Sequence, residues 1–259
     1  MDFHQKTVVI TGGANGIGRC IAECFLNAGA IVAIIDTDES AGMWLARHYG
    51  NACLFFAGDI TIQKTLDTFV DVALNRLGKV HFLINNAMQP QGGIHSGCTY
   101  EDFEYALRAG VTAPYYLALK FKDHLAVGAS IVHISSSRSN QSQPDTESYT
   151  AAKGGIAALT HALSVSLAGV ARVNAVAPGW IDTAPFHEGA PATQHSAADC
   201  SQHPAKRIGT PQDIANIVLF LCSSDAGFIT GQEIFVDGGM SKLMVYHGDN
   251  GWVYHPNVE

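Results

Sequence analysis

Three side chains near the middle of the 259-residue chain have the types and spacing needed for proton transfer: Ser136, Tyr149 and Lys153. In Tyr149-Thr150-Ala151-Ala152-Lys153 the tyrosine and lysine stand four residues apart, which puts both on one face of a helix. An ammonium beside a phenol favours the phenolate. It moves a pKa of about 10 toward the working range of a general base. A serine hydroxyl close to both can hold a substrate oxygen. Taken alone, the Tyr-Lys spacing also describes an ordinary surface helix.

A second constellation lies at the start of the chain. The apolar run Thr7–Ile10 leads into Thr11-Gly12-Gly13-Ala14-Asn15-Gly16-Ile17-Gly18, and a helical pattern follows. Glycines let backbone turn tightly and approach a pyrophosphate, and a helix N-terminus offers unpaired N–H groups to its charge. Between a first strand and a first helix this loop points to a dinucleotide. The second strand ends at Asp36, 18 residues after Gly18, where a carboxylate can accept hydrogen bonds from ribose hydroxyls and would repel a 2′-phosphate. Neither Asn15 nor Thr37 supplies a compensating positive charge, so the expected cofactor is NAD and not NADP. The competing reading of Asp36 is a turn or helix-start aspartate.

The elements that must position these groups alternate. Short β-branched runs (Thr7–Thr11, Ile31–Asp36, Cys53–Ala57, Val80–Asn85, Ser130–Ser135, Val173–Val176, Glu233–Asp237) are separated by stretches of helical periodicity such as Ile17–Asn27, Lys64–Leu77 and Phe103–Leu125. Nearly continuous apolar strands between helices predict an α/β, doubly wound parallel sheet of about seven strands, with helices on both faces, in a single Rossmann-type domain over residues 1–241. The irregular segments Gln89–Cys98, Arg138–Glu147 and Ala184–His203 follow strand ends, where such sheets bind ligands.

Composition narrows the partners. Hydrophobic residues make up 47% of the chain and charged residues 15%, as in an ordinary folded protein. A net charge of −8 without a basic cluster argues against nucleic acid or an anionic membrane surface. The longest apolar run, Ala28–Ile35, is interrupted by Gly29 and is far too short to span a bilayer; the first residues do not read as a signal peptide. Six cysteines include no C-x-x-C pair, and twelve histidines include no H-x-x-x-H or H-E-x-x-H, so no metal site is expected. A reducing, cytoplasmic setting is the expectation.

Over nearly its full length the chain resembles the short-chain dehydrogenase/reductase family, in its branch of roughly 250 residues. The stretches that carry the resemblance are Thr11–Gly18, Asp59-Ile60, Asn85-Asn86-Ala87, Ile134-Ser135-Ser136, Tyr149–Lys153, Asn174–Gly179 and Thr230-Gly231 with Asp237-Gly238-Gly239. The resemblance implies hydride transfer between NAD(H) and an alcohol or carbonyl carbon of a small molecule. In it Tyr149 is the acid/base, Lys153 binds the nicotinamide ribose and lowers the tyrosine pKa, and Ser136 orients the substrate oxygen. It further implies a phosphate loop of Gly12, Asn15, Gly16, Ile17 and Gly18, with Asp36 on the ribose. Asp59 and Ile60 would meet adenine, Asn86 would line the cleft, and Ile181 and Thr183 would hold the carboxamide. Ala184–His203 would form a lid, and the assembly would be a homodimer or homotetramer.

The chain also departs from the family. Gly110 stands where relatives carry an asparagine that kinks a helix and holds a relay water, and Met88 stands where they carry glycine. Glycine keeps room for a second water, so Gly110→Asn is expected to leave activity similar or higher. The missing asparagine favours one alternative function, an NAD-binding regulatory or scaffold protein with weakened turnover. Arg138, Asn140, Gln141, Gln143, Asp145 and Glu147 make the loop before Tyr149 unusually polar. It reads either as a solvated loop or as a polar pocket wall in which Arg138 grips a carboxylate or polyol. Ser135 and Ser137 read as strand-end turn residues, and His187 and His195 as solvent-exposed. The extension 242–259, with Tyr246, His247, Trp252, Tyr254 and His255, is expected to pack on the domain or on a neighbouring subunit.

Overall fold

Strands that are apolar on both faces need helices on both sides, and the chain builds that arrangement. The structure, a computed structural model, describes residues 1–251 and 253. Seven strands, β1 (Thr7–Thr11), β2 (Ile31–Asp36), β3 (Cys53–Ala57), β4 (Val80–Asn85), β5 (Leu125–Ile134), β6 (Ala171–Pro178) and β7 (Glu233–Val236), form one sheet in the order β3-β2-β1-β4-β5-β6-β7. Every pairing is parallel. The order reverses between β1 and β4, so a crevice opens at their carboxyl ends.

The helices are α1 (Gly16–Asn27), α2 (Glu39–Tyr49), α3 (Gln63–Leu77), α4 (Tyr100–Leu107), α5 (Ala113–Phe121), α6 (Glu147–Ser166), α7 (Ala197–Ser201) and α8 (Pro211–Cys222). Strand alternation divides the core. Val8, Ile10, Val32 and Ile34 pack with Phe25 of α1 and Val218 of α8. Val9, Ala33, Ile35 and Leu83 face Phe69 of α3 and Phe121 of α5 on the other side. Each of the fully buried Val, Leu, Ile and Phe side chains among these contributes about 1.5–3 kcal/mol. The two layers hold the sheet rigid, so its carboxyl edge can carry the loops.

Between β4 and β5 the chain departs from its apolar periodicity. Periodicity suggested one helix over Phe103–Leu125. Instead α4 gives way to a π-type turn, Arg108–Thr112, before α5, and Leu125 already belongs to β5. Pro114 has no N–H to donate to the Gly110 carbonyl four residues back, which loosens the spiral at that point. β5 also starts five residues earlier than its β-branched run suggested, and β6 extends to both sides of Val173–Val176. Of the C-terminal extension, Met244 and Tyr246 are exposed. Trp252, Tyr254 and His255 lie outside the described residues.

Candidate active site

The loop from β1 to α1 is held by hydrogen bonds from the end of β4. The Asn86 amide Nδ2 donates to the carbonyls of Thr11 (3.1 Å) and Gly12 (2.8 Å), and its backbone N–H donates to Thr11 Oγ1. A Cβ on Gly18 would stand 1.9 Å from the Gly12 carbonyl oxygen, so only glycine lets helix and loop close this tightly. Gly16 has φ +56°, and a Cβ there would point toward Thr183 and His187 Nε2, into the cleft. No side chain caps α1 and no acidic residue occupies its first turn, which leaves its N–H groups open to an anion. Asn15, at the cap position, donates instead to Asp38 (2.8 Å).

Asp36 closes the other end of this loop. One carboxylate oxygen accepts from the Ala14 N–H (2.9 Å) and the other from the Asp38 N–H (3.0 Å). The cleft enclosed there, about 310 Å³, is lined by Gly12, Asp36, Asp59, Ile60, Asn86 and Thr183. Ile17 lines it too, while Ile181 sits just outside, bridged to Gly209. The glycine cradle, the open helix end and the terminal acid suit a dinucleotide. Tyr105 is a wall residue the sequence did not single out. Its hydroxyl donates to Asp59 (3.2 Å), and no motif marks it because it is placed by the start of α4, where Thr99 and Asp102 form a capping box.

The proton-transfer residues gather at the next strand ends. Ser136 follows β5, is buried, and accepts the Arg138 N–H on Oγ (3.2 Å). Tyr149 and Lys153 come from the first turns of α6, with Nζ 5.4 Å from the centre of the phenol ring. Lys153 is buried, and its ammonium donates to the Ile134 carbonyl (2.7 Å). Burial pushes the lysine down to about 8. Burial also raises the Tyr149 hydroxyl above its ordinary value; the Ser136 hydroxyl and the positive charge of Arg138 act against that rise.

Beside these residues lies a pocket of about 530 Å³, lined among others by Ser136, Arg138, Gln143, Thr146, Tyr149 and Trp180. It resolves the two readings of the polar loop by dividing its residues. Asn140 and Gln141 are exposed. Asp145 accepts the N–H groups of His95 (2.7 Å) and Ser96 (2.9 Å), and Glu147 accepts that of Ile94 (3.2 Å). These two carboxylates therefore fasten the facing loop, while Arg138, Gln143 and Asp145 itself line the pocket.

Other expectations need correction. Ser135 is not a turn residue: its buried hydroxyl donates to Glu233 (2.7 Å) and ties β5 to β7 across β6. His195 is not free in solvent, because its Nε2 is 3.0 Å from Asp182 and its ring meets Trp180 edge-on. His187 is exposed, as expected, yet lines the cleft over Gly16. The two family departures meet each other. A Cβ on Gly110 would stand 2.7 Å from Ala152 Cβ and 3.1 Å from Met88 Sδ. The room that glycine leaves is taken by these side chains, so the expectation that asparagine is tolerated there is reversed.

A larger hollow of about 860 Å³ opens at the opposite edge of the sheet, beside His81, Gly128 and Arg172, and holds none of the candidate residues. Among the described residues no cluster of His, Cys, Asp and Glu could hold a metal ion, and no helix is long and apolar enough to cross a membrane.

Comparison with known proteins agrees with this geometry. A family model described as enoyl-(acyl carrier protein) reductase matches residues 12–241. An "uncharacterized oxidoreductase" of Thermotoga maritima is 37% identical over 94% of this chain and 99% of its own length. The L-fucose dehydrogenase of Mus musculus is 34% identical, covering 92% and 89%. A solved apo SCOR enzyme from Clostridium thermocellum superposes with a TM-score of 0.89 at 44% identity, over 97% of this chain and 99% of that one.

Proposed function

The chain belongs to the short-chain dehydrogenase/reductase family, and from that premise we propose that it is an NAD-dependent dehydrogenase of a small, polar secondary alcohol such as a polyol, sugar or hydroxy acid. The observation that carries the reading is that Ser136 and Tyr149 line one pocket, with the buried Lys153 ammonium 5.4 Å from the Tyr149 ring. Bound NAD⁺ would supply the hydride acceptor for the carbinol carbon, and NADH the donor in reverse. Ser136 holds the substrate oxygen. Tyr149 takes its proton during oxidation and returns it during reduction, and the Lys153 ammonium stabilises the phenolate. Gly12, Asn15, Gly16, Ile17 and Gly18 would carry the pyrophosphate. Asp36 would receive the ribose hydroxyls, a place where a 2′-phosphate would meet its carboxylate. Asp59, Ile60 and Asn86 would flank adenine and the cleft floor, with Ile181 and Thr183 at the carboxamide. The segment Ala184–His203 would serve as the lid, latched by the His195–Asp182 pair.

L-fucose dehydrogenation by a relative supports a polar hydroxyl substrate. The test is NAD⁺ reduction at 340 nm across polyols, sugars and hydroxy acids, with a 2-enoyl thioester and NADH added for the activity that the matched family model names. Turnover of a secondary alcohol that Tyr149→Phe abolishes supports the proposal. Tight NADH binding with no turnover, unaffected by Tyr149→Phe, would favour the regulatory or scaffold reading that the absent asparagine at Gly110 raises.

A further inference from the structure

Arg138 is the one cation lining the substrate-side pocket. It sits in the turn Ser137–Ser139, two residues beyond Ser136. Its guanidinium bonds only neutral oxygens: Nη2 to the Gln143 amide and Nη1, at a long 3.4 Å, to the Thr146 hydroxyl. It enters none of the ion pairs among the described residues. The single carboxylate on the lining, Asp145, has one oxygen occupied by the two backbone N–H groups that fasten the facing loop. The pocket therefore presents, beside Ser136 and Tyr149, a planar cation whose hydrogen bonds all go to neutral oxygens, while its one carboxylate, Asp145, is held to the facing loop.

We infer that Arg138 makes this pocket selective for a substrate that carries a carboxylate near its carbinol, a hydroxy acid or the corresponding oxo acid, over neutral polyols and sugars. The inference rests on the dehydrogenase reading above and narrows its substrate class. A guanidinium binds a carboxylate through two parallel charge-assisted hydrogen bonds, a geometry that the single hydroxyl of Thr146 does not match. Gln143 and Thr146 are then positioning residues that hold the fork toward the pocket when it is empty. A neutral polyol gives the same donors weaker, uncharged acceptors. Arg138 also places positive charge near the Tyr149 oxygen, so the group that selects the acid also favours the phenolate that would deprotonate it.

The experiment titrates the NADH-bound protein, by quenching or enhancement of NADH fluorescence, with matched pairs: 3-hydroxybutyrate and its amide, mandelate and its amide. Wild type is expected to bind at least one acid about 10²-fold more tightly than its amide. Arg138→Gln is expected to erase that preference while NADH affinity changes less than about 3-fold. Arg138→Lys, a point charge without the fork, should recover only part of it. Acid and amide bound alike by wild type in every pair would overturn the inference, and so would a preference that survives in Arg138→Gln. Turnover measured on the same compounds separates this inference from the broader reading. Arg138-dependent acid binding without any oxidation removes the dehydrogenase proposal alone, whereas oxidation of the neutral amides but of no acid removes this one alone.

Discussion

On the β1–β2 side of the cleft, recognition is built mostly from backbone: glycines that permit close approach, an open helix end, and Asp36 tied to the loop at Ala14. On the β5–β6 side it is built from side chains delivered by loops, with Arg138 aimed by Gln143 and Thr146 and with Asp145 and Glu147 fastening the opposite wall. The cradle depends on a few local dihedral angles and on two side chains that tie it down, Asn86 and Asp36. The side-chain pocket depends on contacts between segments some 50 residues apart. The difference implies that the two halves should respond separately to mutation, and that substrate choice is the more easily altered property.

Tyr149→Phe is the largest test of that separation. It removes the hydroxyl proposed to carry the proton without changing the ring that Lys153 lies against, so turnover should fall by about 10³-fold, within the range measured for general acid–base groups. NADH binding, measured by fluorescence, should stay within about 3-fold. A parallel loss of cofactor affinity would mean that the two halves are one unit.

Asp36→Ser acts on the other half. Affinity for NAD should drop by about 10-fold, since the ribose loses a charged acceptor, and NADP should gain by a similar factor as the repulsion disappears. Isothermal titration with both cofactors reads this directly. Better NADP than NAD binding by wild type would sink the cofactor assignment.

These two halves were not equally legible in the sequence. The glycine spacing, the terminal Asp36 and the Tyr-Lys pair are local patterns, and each maps onto one turn or one helix face. The roles of Asp145 and Glu147 were not readable, because nothing local says that a carboxylate will cap N–H groups of His95, Ser96 or Ile94. His195 looked solvent-exposed because its partner, Asp182, lies 13 residues earlier, outside any local pattern. The helix before β5 read as continuous because apolar periodicity does not register a missing N–H, and Pro114 supplies one. Seven strands in a parallel sheet were legible because that signal is repeated seven times.

Gly110 tests the shared support beneath both halves. Gly110→Ala adds a methyl 2.7 Å from Ala152 Cβ, next to Lys153, and overpacking of this kind costs about 1–3 kcal/mol. Thermal unfolding should show the loss and turnover should fall with it, as α6 is pushed outward. Pairing it with Ala152→Gly should restore most of both. Full activity in Gly110→Ala alone would show that α6 yields without cost, and the support would not be shared.

The smallest expected effect concerns acid, and it separates support from chemistry. His133 is fully buried on β5, with Nδ1 2.9 Å from Thr160 Oγ1. Because that hydroxyl donates to the Ile156 carbonyl (2.8 Å), Nδ1 must be the donor to it, and Nε2 is left without a partner. Burial, with the nearby Lys153 charge, lowers the imidazole from 6.5 to about 3. The folded state therefore refuses a proton that the unfolded state accepts below about 6.5, so stability falls as pH drops from 6.5 toward 3. Tm measured from pH 7 to 4 should decline less steeply in His133→Gln than in wild type. Activity lost at acid pH should then return on jumping back to pH 7 only to the extent that the fold does. An unchanged slope in His133→Gln would assign the acid sensitivity to the exposed carboxylates instead. Tyr149 and Lys153, which titrate on the alkaline side, would be untouched by either outcome.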